Sequence, residues 1–134
     1  MSKFEKVKDS GIREEFITGS RRDTRKGKGR FDLIPPYPLL RLAQHYENGA
    51  VKYGDHNWVL GQSISRYLDS ATRHLNEFKE GLTDEDHAAA VIWNMFSIIQ
   101  TKQMIEKGLL PKELDDFFDW TKPPVDQIKK PETK

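Results

Sequence analysis

The sequence predicts an all-α fold: a helical bundle with a central antiparallel hairpin and a long irregular N-terminal segment. Three observations carry this. Two stretches between Pro38 and Leu82 space their apolar residues at i, i+3, i+4 and i+7, which places them on one face of a helix, and a third that ends near Lys107 is apolar nearly all round from Ala88 to Ile99. No segment alternates apolar and polar residues convincingly with the period of two that a half-buried strand needs. Gly81 and Gly108 stand where the second and third of these stretches end, as residues able to adopt positive φ do at helix C-termini.

Residues 1 to about 37 show no lasting period. Residues 1–18 read as a flexible lead, 19–120 as the all-α domain and 121–134 as a disordered tail. A lead this long is either functional or disordered. Between Ser20 and Arg30 it carries six basic residues and one acid, with glycines at 27 and 29. Pro35, Pro36 and Pro38 then stiffen the chain. The first helix is expected from about Pro38 to Tyr53, with Leu39, Leu42, Ala43, Tyr46 and Ala50 as its stripe. Residues 54–57 form a turn and 58–61 a short apolar connector. The second helix is expected from about Ser63 to Glu80, with the stripe Ile64, Tyr67, Leu68, Ala71, Leu75, Phe78 and Leu82. The third is expected from Asp84 to about Lys107, with Thr83 as N-cap, acids in the first turn and a Thr83-x-x-Asp86 capping box. From Ala88 to Ile99 it is apolar nearly all round, the pattern of a buried central helix. Pro111 opens a short last turn through Asp116. The tail has three prolines and mixed charge.

Bulk composition narrows the function. A chain of 134 residues is one ordinary domain. Its net charge of +1 gives no whole-molecule argument for nucleic acid or membrane. The absence of cysteine excludes disulfides, thiol chemistry and Cys-ligated zinc. The charged N-terminus lacks an apolar signal region, and no apolar run is long enough to span a bilayer. A cytoplasmic protein is expected, with no membrane and no nucleic acid as partner.

Several polar residues stand where chemistry is plausible, each with a plainer reading beside it. Glu47 shares a helical row with Leu40, Ala43, Ala50 and Val51, and a carboxylate bordering a core needs a metal, an arginine or backbone donors. Alternatively it lies at the edge of the stripe and reaches water. Asp86, His87, Ala90 and Asn94 form one strip on the third helix. Asn94 must have its amide satisfied if buried, and an interhelical latch would do that. Counting back from the Gly81 turn, His74 meets the third helix near Ala90, between His87 and Asn94. Glu77 and Glu80 make an E-x-x-E pair, but lie toward the solvent side of the second helix with Asp69 and Arg73. Lys52, Tyr53, Asn57 and Trp58 cluster after the first helix. Aromatics beside an amide and a lysine suit base stacking with phosphate contact, while Trp58 also suits a core plug. Arg22, Lys28 and Arg30 lie in the basic run, whose arginines offer bidentate donors to phosphate.

Taken together, Gly19-Ser-Arg-Arg-Asp, the run from Gly27 to Pro36, Glu47-x-Gly-Ala-x-Lys-Tyr-Gly-Asp-x-Asn-Trp58, Asp69-Ser-x-x-Arg-His74, Asp84-Glu-Asp-His-x-Ala-Ala, Trp93-Asn94 and the run from Gly108 to Asp116 resemble the phage dATP/dGTP diphosphohydrolase family. The likeness spans about residues 19 to 116 and is closest to the MazZ-type members of the MazG-like all-α nucleoside triphosphate pyrophosphohydrolases. It implies a helical enzyme that assembles as a homodimer or homotetramer. It implies Mg²⁺ or Mn²⁺ as cofactor and cleavage of a purine deoxynucleoside triphosphate (dGTP, with GTP and dATP as alternatives) to monophosphate and pyrophosphate. It also implies a phage protein in the host cytoplasm, feeding dGMP into 2-aminoadenine deoxynucleotide synthesis. The MazG pattern is E-x-x-E followed at a distance by E-x-x-D. Here Glu77-x-x-Glu80 lacks the second half, and Gln44-x-x-Glu47 with Arg66-x-x-Asp69 has the spacing but one acid per pair.

Under this reading hard cations take oxygen ligands from Glu47, Asp69 and Asp86. Glu47, Asp86 and His74 are the catalytic candidates. Arg22, Lys28, Arg30, Lys52, Tyr53, Asn57, Trp58, Arg73, His87 and Asn94 are the substrate-binding candidates. The rival is a non-catalytic helical module that binds nucleic acid or protein through residues 20–30. A weaker enzymatic rival, a phosphohydrolase releasing nucleoside, lacks an ordered His-Asp pair.

Overall fold

The computed structural model describes residues 6–128 and 131. They fall into two compact units that divide between Pro35 and Pro36. Residues 1–5 of the expected lead, and 129, 130 and 132–134 of the expected tail, lie outside the described residues.

The first unit contains a short antiparallel hairpin, β1 (Arg13–Glu15) and β2 (Arg21–Asp23). It pairs Arg13 with Asp23, Glu14 with Arg22 and Glu15 with Arg21. Every cross-strand pair joins opposite charges, which favours this register. Such strands carry no hydrophobic alternation, so the period-two test does not find them. The turn closes where the Gly19 N–H donates to the Phe16 carbonyl at 2.8 Å, with Gly19 at φ +88°, a conformation open to glycine. Asp23 gathers the loop that follows: Lys28 Nζ lies 2.9 Å and Arg13 Nη1 3.3 Å from its carboxylate. The hydrogen bond from Lys28, first among its contacts, lowers the Asp23 carboxyl to about 2. Arg30 holds Asp32 through two 2.8 Å bonds.

The second unit holds three helices: α1 (Pro36–Tyr53), α2 (Ile64–Lys79) and α3 (His87–Glu106). Short 3-10 turns lie at Asn57–Leu60, Lys112–Leu114 and Pro124–Asp126. α1 starts on a proline, which is pre-set for the first helical position. α3 starts three residues later than the sequence suggests. Its N-cap is Asp86, whose carboxylate accepts the Ala89 N–H at 3.1 Å, so the Thr83 cap and the Thr83-x-x-Asp86 box do not form. Asp86 is also clasped by the Arg41 guanidinium of α1, and outside the helix its side chain serves both partners.

α2 and α3 form the antiparallel hairpin, and α1 packs on α3. The buried row of α2 is Ile64, Tyr67, Ala71 and His74. Leu68, Leu75, Phe78 and Leu82, expected in the same stripe, remain 37–57% exposed. The covered row is thus turned toward His74, where α3 presents the small Ala89 and Ala90 together with His87. Burying a side chain such as Ile64 contributes about 1.5–3 kcal/mol. Trp93 joins the helices: its ring lies 5.9 Å from Tyr67 of α2, and 5.8 and 6.1 Å from His45 and Tyr46 of α1. α3 is not buried all round. Met95, Phe96 and Ile99 stay 42–67% exposed, because α1 and α2 cover only part of its circumference.

The segment after α3 returns to the start of α2. Asp116 accepts the Ser65 N–H at 2.9 Å and the Ser65 hydroxyl at 2.6 Å. Gly61, at φ +75°, lets this segment approach closely, since a Cβ there would lie 2.8 Å from Leu110 Cδ1. Gln127 ties back to the Asp119 backbone. Among the described residues no helix is long and apolar enough to cross a membrane.

Candidate functional site

Arg66, Asp69, Ser70 and Arg73 recur on α2 at i, i+3, i+4 and i+7 and therefore share one face. That face, which the sequence places toward solvent, is one wall of a cleft of about 890 Å³. α1 and the turn after it supply the other wall, with Glu47, Tyr53, Asn57 and Trp58, while α3 supplies Trp93 and Asn94. The volume falls in the range of small-molecule sites, roughly 300–1,000 Å³. Asn94 is buried, and its amide donates to the Ala90 carbonyl at 2.8 Å and to the Ser70 hydroxyl at 3.3 Å.

Of the residues singled out in the sequence, Glu47, Tyr53, Asn57, Trp58, Asp69, Arg73 and Asn94 line this cleft together. Lys52 does not, and its ammonium stands 5.2 Å from the centre of the Tyr53 ring. Asp86 lies outside it, held by Arg41, whose hydrogen bond lowers its carboxyl first, before the Ala89 N–H and the charges of Arg41 and His45. Arg22, Lys28 and Arg30 belong to the first unit, where Lys28 and Arg30 already hold Asp23 and Asp32.

Other lining residues were missed: His45, His56, Gln62, Arg66 and Ser70. Arg66 and Ser70 were legible as members of the i, i+3, i+4, i+7 row. His45 has no such signal, since its place follows from the Trp93 ring packed on it. Burial, and next the charge of His74, depresses its basicity. His56 caps the 3-10 turn in the left-handed region at φ 59°, which only the turn geometry explains.

Further along the same row of α2 comes Glu77, which is not on the solvent side. Its carboxylate turns inward, with Oε2 3.0 Å from His87 Nδ1 and 3.7 Å from His74 Nδ1. Its Oε1 lies 3.4 Å from Nη1 of Arg73, a cleft residue. The Gly81 turn brings His74 and His87 face to face, Nδ1 to Nδ1 at 2.9 Å. His87 Nε2 meets Asp84 Oδ1 at 2.8 Å. That bond is the first cause of the raised basicity of His87, followed by the charges of Asp84, Glu77 and Glu85 against the opposing effect of burial. Burial, then Arg73, lowers that of His74. Ligand atoms of His74, Glu77, Glu85 and His87 all lie within 4.8 Å of one another, and such a group can hold a metal ion. Among the described residues Glu47 and Asp69 enter no such group.

Fold and site define a class: an all-α protein whose helices wall a polar cleft next to side chains able to hold a metal ion. The chain belongs to the dATP/dGTP diphosphohydrolase family. The family's sequence model, described as dATP/dGTP diphosphohydrolase, N-terminal, matches residues 18–109, a span that includes β2 and all three helices. The name is that of a hydrolase acting on nucleotides. The comparison with curated proteins gives no match, and neither does the comparison with solved structures.

Proposed function

We propose that the chain, through residues 19–120, is a metal-dependent diphosphohydrolase. Its substrate is a purine deoxynucleoside triphosphate, dGTP first and GTP or dATP as alternatives, and its products are the monophosphate and pyrophosphate. One observation carries this reading beyond the family name: stacking groups, cations and carboxylates share one cleft. Tyr53 and Trp58 offer faces to a base, with Asn57 and Asn94 to read its edge. Arg66 and Arg73 present planar donors to phosphate oxygens. Glu47 and Asp69, which form no complete ligand group by themselves, would each offer a carboxylate oxygen to a hard cation, Mg²⁺ or Mn²⁺, whose remaining ligands would be phosphate oxygens and water. When bound, such a cation neutralises phosphate charge and makes water more acidic. Glu47 orients the attacking water and takes up its proton as the bond from the α-phosphorus to the bridging oxygen breaks and pyrophosphate leaves. Asp86 acts at a distance, positioning Arg41 and the start of α3. The sequence resemblance supports the finer role, supply of dGMP for 2-aminoadenine deoxynucleotides in a phage. The exposed apolar side chains of α3 support assembly with further copies of the chain.

The test is incubation with dGTP and Mn²⁺, with products separated by ion exchange. Equal amounts of dGMP and pyrophosphate are expected. Orthophosphate as the sole inorganic product, or no turnover of any deoxynucleoside triphosphate, overturns the proposal. Glu47→Ala is expected to lower turnover by about 100-fold or more with helix content unchanged. The binding-module alternative instead expects that variant to behave as wild type and deletion of residues 1–30 to abolish binding. The ion pairs of Lys28 and Arg30 weigh against it.

A further inference from the structure

We propose that His74, Glu77 and His87 form a second metal site, separate from the Glu47 and Asp69 carboxylates, that takes a nitrogen-preferring transition-metal ion such as Zn²⁺ or Co²⁺ over Mg²⁺. The inference rests on the geometry of these side chains and not on the diphosphohydrolase reading.

The two Nδ1 atoms and Glu77 Oε2 form a triangle with sides of 2.9, 3.0 and 3.7 Å. Ligand atoms about 2.0–2.1 Å from one ion stand about 2.9–3.4 Å apart, from right-angled to tetrahedral arrangement. Two sides fall within that range, and the third, His74 Nδ1 to Glu77 Oε2 at 3.7 Å, exceeds it, so Glu77 has to close by a few tenths of an ångström on binding. Two imidazole nitrogens that face each other this closely need a proton or a cation between them, since two lone pairs repel. Asp84 settles which nitrogen of His87 is available. It accepts a hydrogen bond from Nε2–H, which leaves the Nδ1 lone pair directed at His74 and Glu77. A carboxylate behind a histidine is the usual outer partner of a ligating imidazole. Glu77 is steadied in turn by Arg73 on its other oxygen. Glu85 stands within reach as a fourth ligand. The side chain of His87 is fully buried and that of His74 is 10% exposed, so neither histidine is held in place by solvent. Imidazole nitrogen selects zinc, copper, iron and nickel, while magnesium prefers oxygen and water. An ion here would join the end of α2 to the start of α3 across the Gly81 turn.

The experiment titrates the full chain, stripped with chelator, with Co²⁺ while visible absorption is recorded. One equivalent per chain with d–d bands of a nitrogen-ligated ion is expected, displaced by Zn²⁺ and not by excess Mg²⁺. His74→Gln and Glu77→Gln are expected to abolish the bands. Asp84→Asn is expected to keep the stoichiometry and weaken affinity about 10–100-fold. Circular dichroism checks each variant's fold. Long-range ¹H–¹⁵N spectra of the unmutated chain need no variant: Zn²⁺ should move the Nδ1 signals of His74 and His87 and leave those of His45 and His56. No stoichiometric binding, an equal response to Mg²⁺, or unmoved His74 and His87 signals overturns the site. Hydrolysis of dGTP is not a readout here, so this result and the test of the proposed activity stand or fall separately.

Discussion

Asn94 is 3% exposed on a helix whose neighbouring residues are mostly apolar, and its amide is spent on two bonds. Both bonds use the nitrogen as donor, one within α3 and one across to Ser70 of α2. Asn94→Asp keeps the shape and removes the donor, so an ionised carboxylate would confront the Ala90 carbonyl. The Ser70 hydroxyl could turn to donate to that carboxylate, but burial beside the Ala90 carbonyl outweighs one such bond and raises the folded pKa above the unfolded value of about 3.9. The unfolded chain then ionises first as pH rises. The cost is absent below about pH 4, grows as pH climbs toward the folded pKa and is constant above it. A loss of about 2 kcal/mol is expected at neutral pH, shrinking on acidification as the protonated carboxyl donates again. Urea unfolding of variant and wild type across the pH range measures it. A pH-independent difference would show that the amide serves packing and not donation.

Each face of α2 has its own task, and so does its first turn. One row, Ile64 to His74, is buried, and the row from Arg66 to Glu77 walls the cleft and reaches the histidine pair. The first turn is capped from fifty-one residues away by Asp116, because Ser63 makes no side-chain cap bond. Asp116→Ala removes the acceptor of the Ser65 N–H and hydroxyl. It should cost about 1 kcal/mol in thermal unfolding and increase amide exchange at the start of α2. A change confined to residues 110–120 would mean that the contact holds only the C-terminal segment. Such a cap has no local signature, so the sequence does not reveal it. The helices themselves were legible, since their period is a local property. Their rotation was not: Leu75 and Phe78 fit the stripe as well as His74 does, and only the small residues of α3 decide which row is covered. The meeting of His74 with His87 was countable from the Gly81 turn, though Ser70, not His74, proved to face Asn94. Glu77 was hidden because an E-x-x-E pair beside Arg73 also fits a solvated face. The charged hairpin of the first unit lacks the hydrophobic period by which strands are read.

At the scale of the molecule, the apolar surface that the second unit leaves open bears on assembly. A groove of about 540 Å³ runs between α1 and α3, lined by Leu39, Tyr46, Trp58, Phe96 and Ile99 among others. Leu39, Phe96 and Ile99 are each more than half exposed. Contiguous apolar surface on a soluble chain marks an interaction site. A second copy is the occupant we favour, since α3 is apolar nearly all round while α1 and α2 cover only part of it. A stable pair needs roughly 800 Å² buried per partner, which requires more than this groove and so brings neighbouring α1 side chains such as Leu40 into contact. Light scattering on the eluting protein should therefore give a multiple of the 15.6 kDa chain mass. Phe96→Glu with Ile99→Glu should reduce it to the chain mass with helix content retained, because two carboxylates would have to be desolvated in the joint. Trp58 lines both this groove and the polar cleft proposed to take the nucleotide. The dissociated variant should accordingly lose dGTP turnover in step with its mass, and dilution of the wild type should do the same. A wild-type chain that runs at 15.6 kDa, or a monomeric variant with full turnover, would refute assembly through this face.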